Sequence, residues 1–407
     1  MKSVCCFLVL ASAAGTTVAA TRVDTWLLPV QTVAAQPSLS QAADGSLNLS
    51  WIERAATGHR LRFSRYRSGR WTVPATIASG ENWFVNWADF PSTTQLPDGT
   101  LWAHNLIKRG TGTYAYDLVL YRSMDDGKSW SKPATVHDDG TETEHGFATL
   151  WPWSESELAV AWLDGRETTG ASGHDHGNLE HASDTGKAMT LRSAVFDANG
   201  KRMNEWKLDA RTCDCCQTDS AVTSQGPIVI YRDRSASEIR DIFSTRFTAG
   251  KWQKPQIVVK DNWLMPACPV NGPAIAAAGH SVWAAWYTAA NDTPALRVAF
   301  SGDSGNDFKI SKTYKSGKQI QGRVDLTADA AGAWMLWLEE TDQQTLWLAR
   351  LDKQLNTVGA PVRIAQLHGR GRATGFARMQ AVGDSVYVVW TDVIAGKPQL
   401  QGAQFRF

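Results

Sequence analysis

Beyond its first twenty residues the chain has no hydrophobic run approaching the roughly 20 apolar residues that a membrane helix requires. It also lacks a dominant charge: 41 basic residues stand against 40 acidic ones, for a formal net charge of +1. That balance excludes the broad electrostatic footprint of a nucleic-acid or anionic-membrane binder. Cysteine is scarce, six in 407 residues, and two of these, Cys5 and Cys6, lie in the apolar N-terminal segment.

That segment reads as an export signal over residues 1–20. Lys2 supplies the positive start, Val4 to Ala14 the short apolar stretch, and Thr17-Val18-Ala19 the small residues before cleavage. The expected mature chain, residues 21–407, is periplasmic or secreted and monomeric. It retains Cys213, Cys215, Cys216 and Cys268 in a compartment where disulfides persist.

What the chain has in abundance is tryptophan, 19 residues, set in repeats. Leu49-Ser50-Trp51-Ile52-Glu53, Val160-Ala161-Trp162-Leu163-Asp164, Met335-Leu336-Trp337-Leu338-Glu339 and Val388-Val389-Trp390-Thr391-Asp392 share an apolar run, an aromatic and an acid. Trp71-Thr72-Val73-Pro74, Trp130-Ser131-Lys132-Pro133 and Trp252-Gln253-Lys254-Pro255 form a second set, with proline suited to an outer edge strand. First strands begin near Ser38, Pro91, Ala148, Asp219, Pro273, Val324 and Ala377. This regularity predicts an all-β propeller of four-stranded blades, seven preferred and six the alternative. The seventh unit is one strand short, and Thr25 to Val33 is the expected N-terminal strand that closes the ring.

Ser123-Met124-Asp125-Asp126-Gly127-Lys128-Ser129-Trp130 is a tight Asp/Gly turn followed by a packing tryptophan. A weaker copy runs from Ser301 through Asp303 and Gly305 to Phe308. These boxes resemble the Asp-box (BNR) hairpins of the sialidase-like propeller superfamily, and the resemblance covers the whole mature chain. It implies six blades as the usual number and structural hairpins on the face opposite the ligand site. It also implies an exo-α-sialidase-type glycosidase with an arginine clamp, a tyrosine nucleophile and acidic partners. The place of that family's Arg-Ile-Pro motif here reads Leu27-Leu28-Pro29. By blade register the nearest substitutes are Arg323 and Arg378 at inner-strand starts, Arg166 and Arg234 after second strands, Asp164 and Asp233 as acids, and Tyr231 or Tyr287 as nucleophile.

The same register gathers a second constellation. Cys213, Cys215 and Cys216 precede the fourth inner strand, Cys268 the fifth, and His145 the third. His174 and His176 lie in an extra-long loop of the third unit. Two readings stay open: disulfides stapling neighbouring blades, or a thiolate/imidazole site for copper or zinc. The expected partners are accordingly a metal ion, or a glycan or small anionic ligand bound at the axial mouth. A non-catalytic glycan- or protein-binding scaffold is the remaining alternative.

Overall fold

The computed structural model describes residues 22–30, 33–169 and 187–407. The signal segment and His174 and His176 lie outside the described residues. Seven antiparallel sheets follow one another around a ring. Their inner strands are Ala34–Gln41, Thr93–Gln95, His145–Pro152, Asp219–Thr223, Ala274–Ala278, Ile320–Asp329 and Arg378–Val382, the innermost members of blades 1 to 7. Among the described residues helix is confined to three short 3-10 turns, so none is long and apolar enough to cross a membrane.

The ring closes through the N-terminus, as expected, but with a different segment. Arg22–Thr25 pairs antiparallel with the last strand, Lys397–Arg406, in the register Arg22↔Arg406 to Thr25↔Ala403. The Trp26 N–H extends the pairing to the Gly402 carbonyl at 2.9 Å. Trp26 is then buried between Tyr66, Trp71 and Tyr387. Pairing therefore ends at Trp26, ahead of Pro29, instead of running on through Val33.

The repeated Trp-x-acid pattern has a local cause. Alternate residues of a strand share a face, so the acid two positions on can accept from the indole. Trp51 donates to Glu53 at 2.8 Å, Trp162 to Asp164 at 2.7 Å and Trp337 to Glu339 at 2.7 Å. A buried indole N–H needs such a partner. In these three blades the pattern is a device of the core; in the fourth copy Asp392 accepts from His368 and Gly369 instead, and the Trp390 indole N–H has no partner among the described residues.

Blades are held to one another by bulges. Register shifts interrupt the inner strands at Ala35/Ser38, Gly146/Thr149 and Gly322/Asp325. Within them Gln36, Phe147 and Arg323 adopt positive φ, 57°, 52° and 50°. Each of these residues turns its N–H out of the ladder to a neighbouring blade: Gln36 to Thr391 Oγ1, Phe147 to Asp89 Oδ1, and Arg323 to Asn271 Oδ1. Asp219 and Asp325 perform the same office for Ile275 and Met379, at 2.8 and 2.7 Å.

Burial raises the Asp219 carboxyl to about 7, against its hydrogen bonds to Ile275 and Ser220. Between the ordinary 3.8 and 7 the folded state keeps a proton that the unfolded chain gives up. Stability from this group is therefore complete below pH 3.8 and is lost as pH rises through 7. In Asp219→Asn there is no proton to lose. Thermal melts of the two proteins from pH 4 to pH 8 should converge or cross in the variant's favour, by up to about 4 kcal/mol. Parallel curves would refute the assignment.

Candidate functional site

The Asp-box residues stand where the resemblance puts them. Ser123 Oγ accepts the Gly127 N–H at 2.9 Å and donates to Asp125, which in turn accepts the Ser129 N–H at 2.9 Å. Gly127 has φ 81°, and a Cβ there would come within 2.3 Å of Phe63. The second box repeats this through Ser301, Asp303 and Gly305. Both knit hairpins between third and fourth strands, away from the loops that join one blade to the next.

The four cysteines lie in the connections between blades 3, 4 and 5, as the register predicts, and they are paired: Cys213 with Cys216, and Cys215 with Cys268. A disulfide sulfur carries no thiolate charge for a metal. All three clustered cysteines are buried and pack with Phe90, Phe147, Tyr231 and Phe376 in one cluster. The next residue spans the ring. Gln217 donates to the Ala88 carbonyl before blade 2 at 2.7 Å and accepts the Gly272 N–H before blade 5 at 2.9 Å. A Cβ on Gly272 would stand 2.1 Å from the Gln217 carbonyl oxygen. The cysteine segment thus crosses the axial mouth as a stapled plug. His145 is not among the sulfurs: its ring stacks on His137, with centroids 3.5 Å apart.

The arginines proposed as a clamp are all engaged within the protein. Arg166 binds Asp164 and Glu205, Arg234 binds Glu238 and Asp214, and Arg378 binds Asp325. Arg323 donates to Thr374 Oγ1 and to the carbonyls of Gly371 and Gly375, and burial lowers it to about 10. Asp164 is fully buried and saturated by Trp162 and Arg166; burial opposes its charge, yet the Arg166 hydrogen bond and His145 hold it below the ordinary range. Tyr231 is likewise buried and donates to Asp209. Asp233, half-buried, is raised to about 7 by burial and then by Asp209. Tyr287 packs edge-on against Trp263.

The carboxylate–phenol arrangement that sequence reading sought at Tyr231 occurs at three other residues. Tyr116, at the start of the third strand of blade 2 (Tyr116–Ser123), places its hydroxyl 2.7 Å from Asp89 Oδ2 and 2.8 Å from Glu144 Oε1. Asp89 leads into the inner strand of blade 2 and Glu144 into that of blade 3. Tyr116 and Asp89 are buried, at 0% and 1% exposure, and Glu144 is half-buried as a residue. Gly146 leaves the room required, since a Cβ there would lie 2.0 Å from Asp89 Oδ2. One phenolic hydrogen can serve only one of the two contacts. The other needs a proton on a carboxyl group. Burial raises Asp89 to about 7 and Glu144 well above the ordinary range, with Asp89 and Asp214 adding to the rise at Glu144. Tyr116 is raised by the same burial and the same acids. No motif marks these residues. Their only sequence signal is position: each sits in, or at the edge of, a loop on the plug side of its blade.

An aromatic surface lies on the same loops. Trp87, two residues before Asp89 and half-buried, stacks on Phe376 at 5.9 Å, with the Arg323 and Arg372 guanidinium groups 5.0 and 5.8 Å from its ring centre.

No protein-family model matches the chain, and no curated protein matches it. Solved structures do. A protein of unknown function from Dyadobacter fermentans aligns over 92% of this chain and 94% of its own, at 12% identity and TM-score 0.51. The polysaccharide lyase Uly1 aligns over 91% and 90%, at 10% identity and TM-score 0.52. The leech intramolecular trans-sialidase aligns over 91% and 68%, at 9% identity and TM-score 0.45. The two likenesses above a TM-score of 0.5 agree with the sheet order in showing the fold, a β-propeller, here of seven blades.

The Cys215–Cys268 bridge joins positions 53 apart in sequence. By loop entropy it stabilises the fold by about 4 kcal/mol. Oxidised protein should show no thiol that reacts with Ellman's reagent after denaturation. Cys268→Ser should lower the melting temperature by several degrees. A titre of four thiols in protein purified without reductant would refute the pairing.

Proposed function

We propose that the exported chain cleaves glycosidic linkages, with Glu144 as the proton-transferring group and Tyr116 and Asp89 as the buried network that poises it. The observation that carries this reading is the Asp89–Tyr116–Glu144 chain of hydrogen bonds, in which Glu144 is the one residue not fully buried. A carboxyl held in its acid form by an apolar, acid-rich setting can protonate a leaving sugar oxygen. Tyr116 is too enclosed to act as the attacking nucleophile, which separates this arrangement from the tyrosine mechanism that the sialidase resemblance implies. The similarity in fold to a polysaccharide lyase fits a polysaccharide as substrate. The two disulfides fit a periplasmic or secreted site of action.

The test is a panel of fluorogenic glycosides, sialosides included, and of acidic polysaccharides, assayed for reducing ends and for unsaturated products. Wild type should release product from at least one member. Glu144→Gln should lose about 10²- to 10⁴-fold in kcat, and Tyr116→Phe should be impaired while still binding substrate. Binding without turnover by wild type across the panel would sink the enzyme reading and leave the glycan-binding scaffold.

A further inference from the structure

Beside this network, between blades 2 and 3, lies a second cluster that the proposed chemistry does not use. Its members are Asp117, on the third strand of blade 2; His137 and Asp139, in the connection to blade 3; and His145, the first residue of the blade 3 inner strand. Both imidazoles are wholly enclosed. Their rings are parallel to within 6°. Asp139 Oδ2 binds the same side of both, at 2.8 Å from His137 Nδ1 and 3.2 Å from His145 Nε2. The opposite nitrogens face away from Asp139. His145 Nδ1 hydrogen-bonds the carbonyls of Thr143 and Tyr116, at 3.1 and 3.3 Å, contacts that a bound ion would replace. His137 Nε2 looks toward Asp117 Oδ1 at 3.4 Å, and both of these buried atoms lack a hydrogen-bond partner. One ligand atom each from Asp117, His137 and His145 falls within 4.8 Å of the others.

Two unpartnered polar atoms facing one another in a dry site are costly. A carboxylate that orients the far nitrogen of each imidazole is the usual support of a metal-bound histidine. We propose that Asp117, His137 and His145 bind one divalent transition-metal ion, zinc in class, with Asp139 orienting both rings from behind. Two imidazoles and a carboxylate are a borderline donor set that suits zinc and not the soft ion a thiolate site would take. Arg109 occupies Asp117 Oδ2 and leaves Oδ1 for the ion. Arg166 offsets Asp139 and Asp164 on the far side. The ion would join blade 2 to blade 3. Its ligands are chain neighbours of the proposed machinery, Asp117 of Tyr116 and His145 of Glu144, so it would also fix where those two residues stand. The binding itself does not depend on the glycan reading.

The experiment uses untagged, oxidised mature chain, stripped with a chelator and titrated with zinc or cobalt(II) alone. Uptake of one equivalent is expected, with a rise in melting temperature. The cobalt form should show ligand-field bands and no thiolate charge-transfer band. Asp117→Asn and His137→Gln, each checked for fold by circular dichroism, should bind about 100-fold more weakly. If either variant fails to fold, the other carries the comparison. The proposal falls if stripped wild type takes up no stoichiometric metal, if the variants bind as tightly as wild type, or if the cobalt spectrum reports sulfur. Loss of glycan cleavage with metal binding intact would count against the Glu144 reading only.

Discussion

The inner strands of a propeller have no ladder partner toward the axis, so blade-to-blade cohesion depends on what else their backbone can reach. Here the recurrent answer is a bulged residue of positive φ, or an unpaired strand N–H, bonded to a neighbour's side chain. Those of Phe147 and Met379 are buried, and a buried N–H without a partner would cost about 1–3 kcal/mol. The polar residues near the axis are therefore fixed first by the ring and only afterwards available for chemistry. Asp89 shows both uses in one side chain: Oδ1 takes the Phe147 N–H across the blade 2–3 junction, and Oδ2 takes the Tyr116 hydroxyl.

The cysteine segment follows the same logic by other means. The chain between blades 3 and 4 carries two disulfides and Gln217 and reaches blades 2 and 5. Glu144, Trp87 and Asp233 remain partly reachable around it, whereas Tyr116, Asp164 and Tyr231 do not.

Much of the architecture was legible because propeller blades are copies. The register predicted the inner strands and the closure by an N-terminal strand, and it placed the cysteine cluster one junction from Cys268; it aligned Cys216 with Cys268, whereas the bridge is made by Cys215. It could not distinguish the two readings of an acid after tryptophan. Asp164 looked catalytic because Asp at a second-strand end faces the ligand side; it is an indole acceptor and an arginine partner, as Glu53 and Glu339 show in their own blades. The arginines were misjudged for a related reason: sequence reports a charge but not its counter-charge, and Arg323 is consumed by backbone carbonyls that no motif announces. Tyr116 and Glu144, the residues of the proposed site, carry no sequence signal because they come from different blades and belong to no repeat.

What sets the blade 2–3 junction apart is the way two chain segments run past one another there. Tyr116 and Glu144 form a parallel bridge between the third strand of blade 2 and the entry to blade 3, outside both sheets. The Tyr116 N–H also bonds the Thr143 carbonyl at 3.1 Å. Because successive residues of an extended segment point to opposite sides, this single pairing sorts four side chains into two groups. Tyr116 and Glu144 meet on one side with Asp89. Asp117 and His145 meet on the other with His137 and Asp139. One backbone contact thus builds two polar clusters back to back.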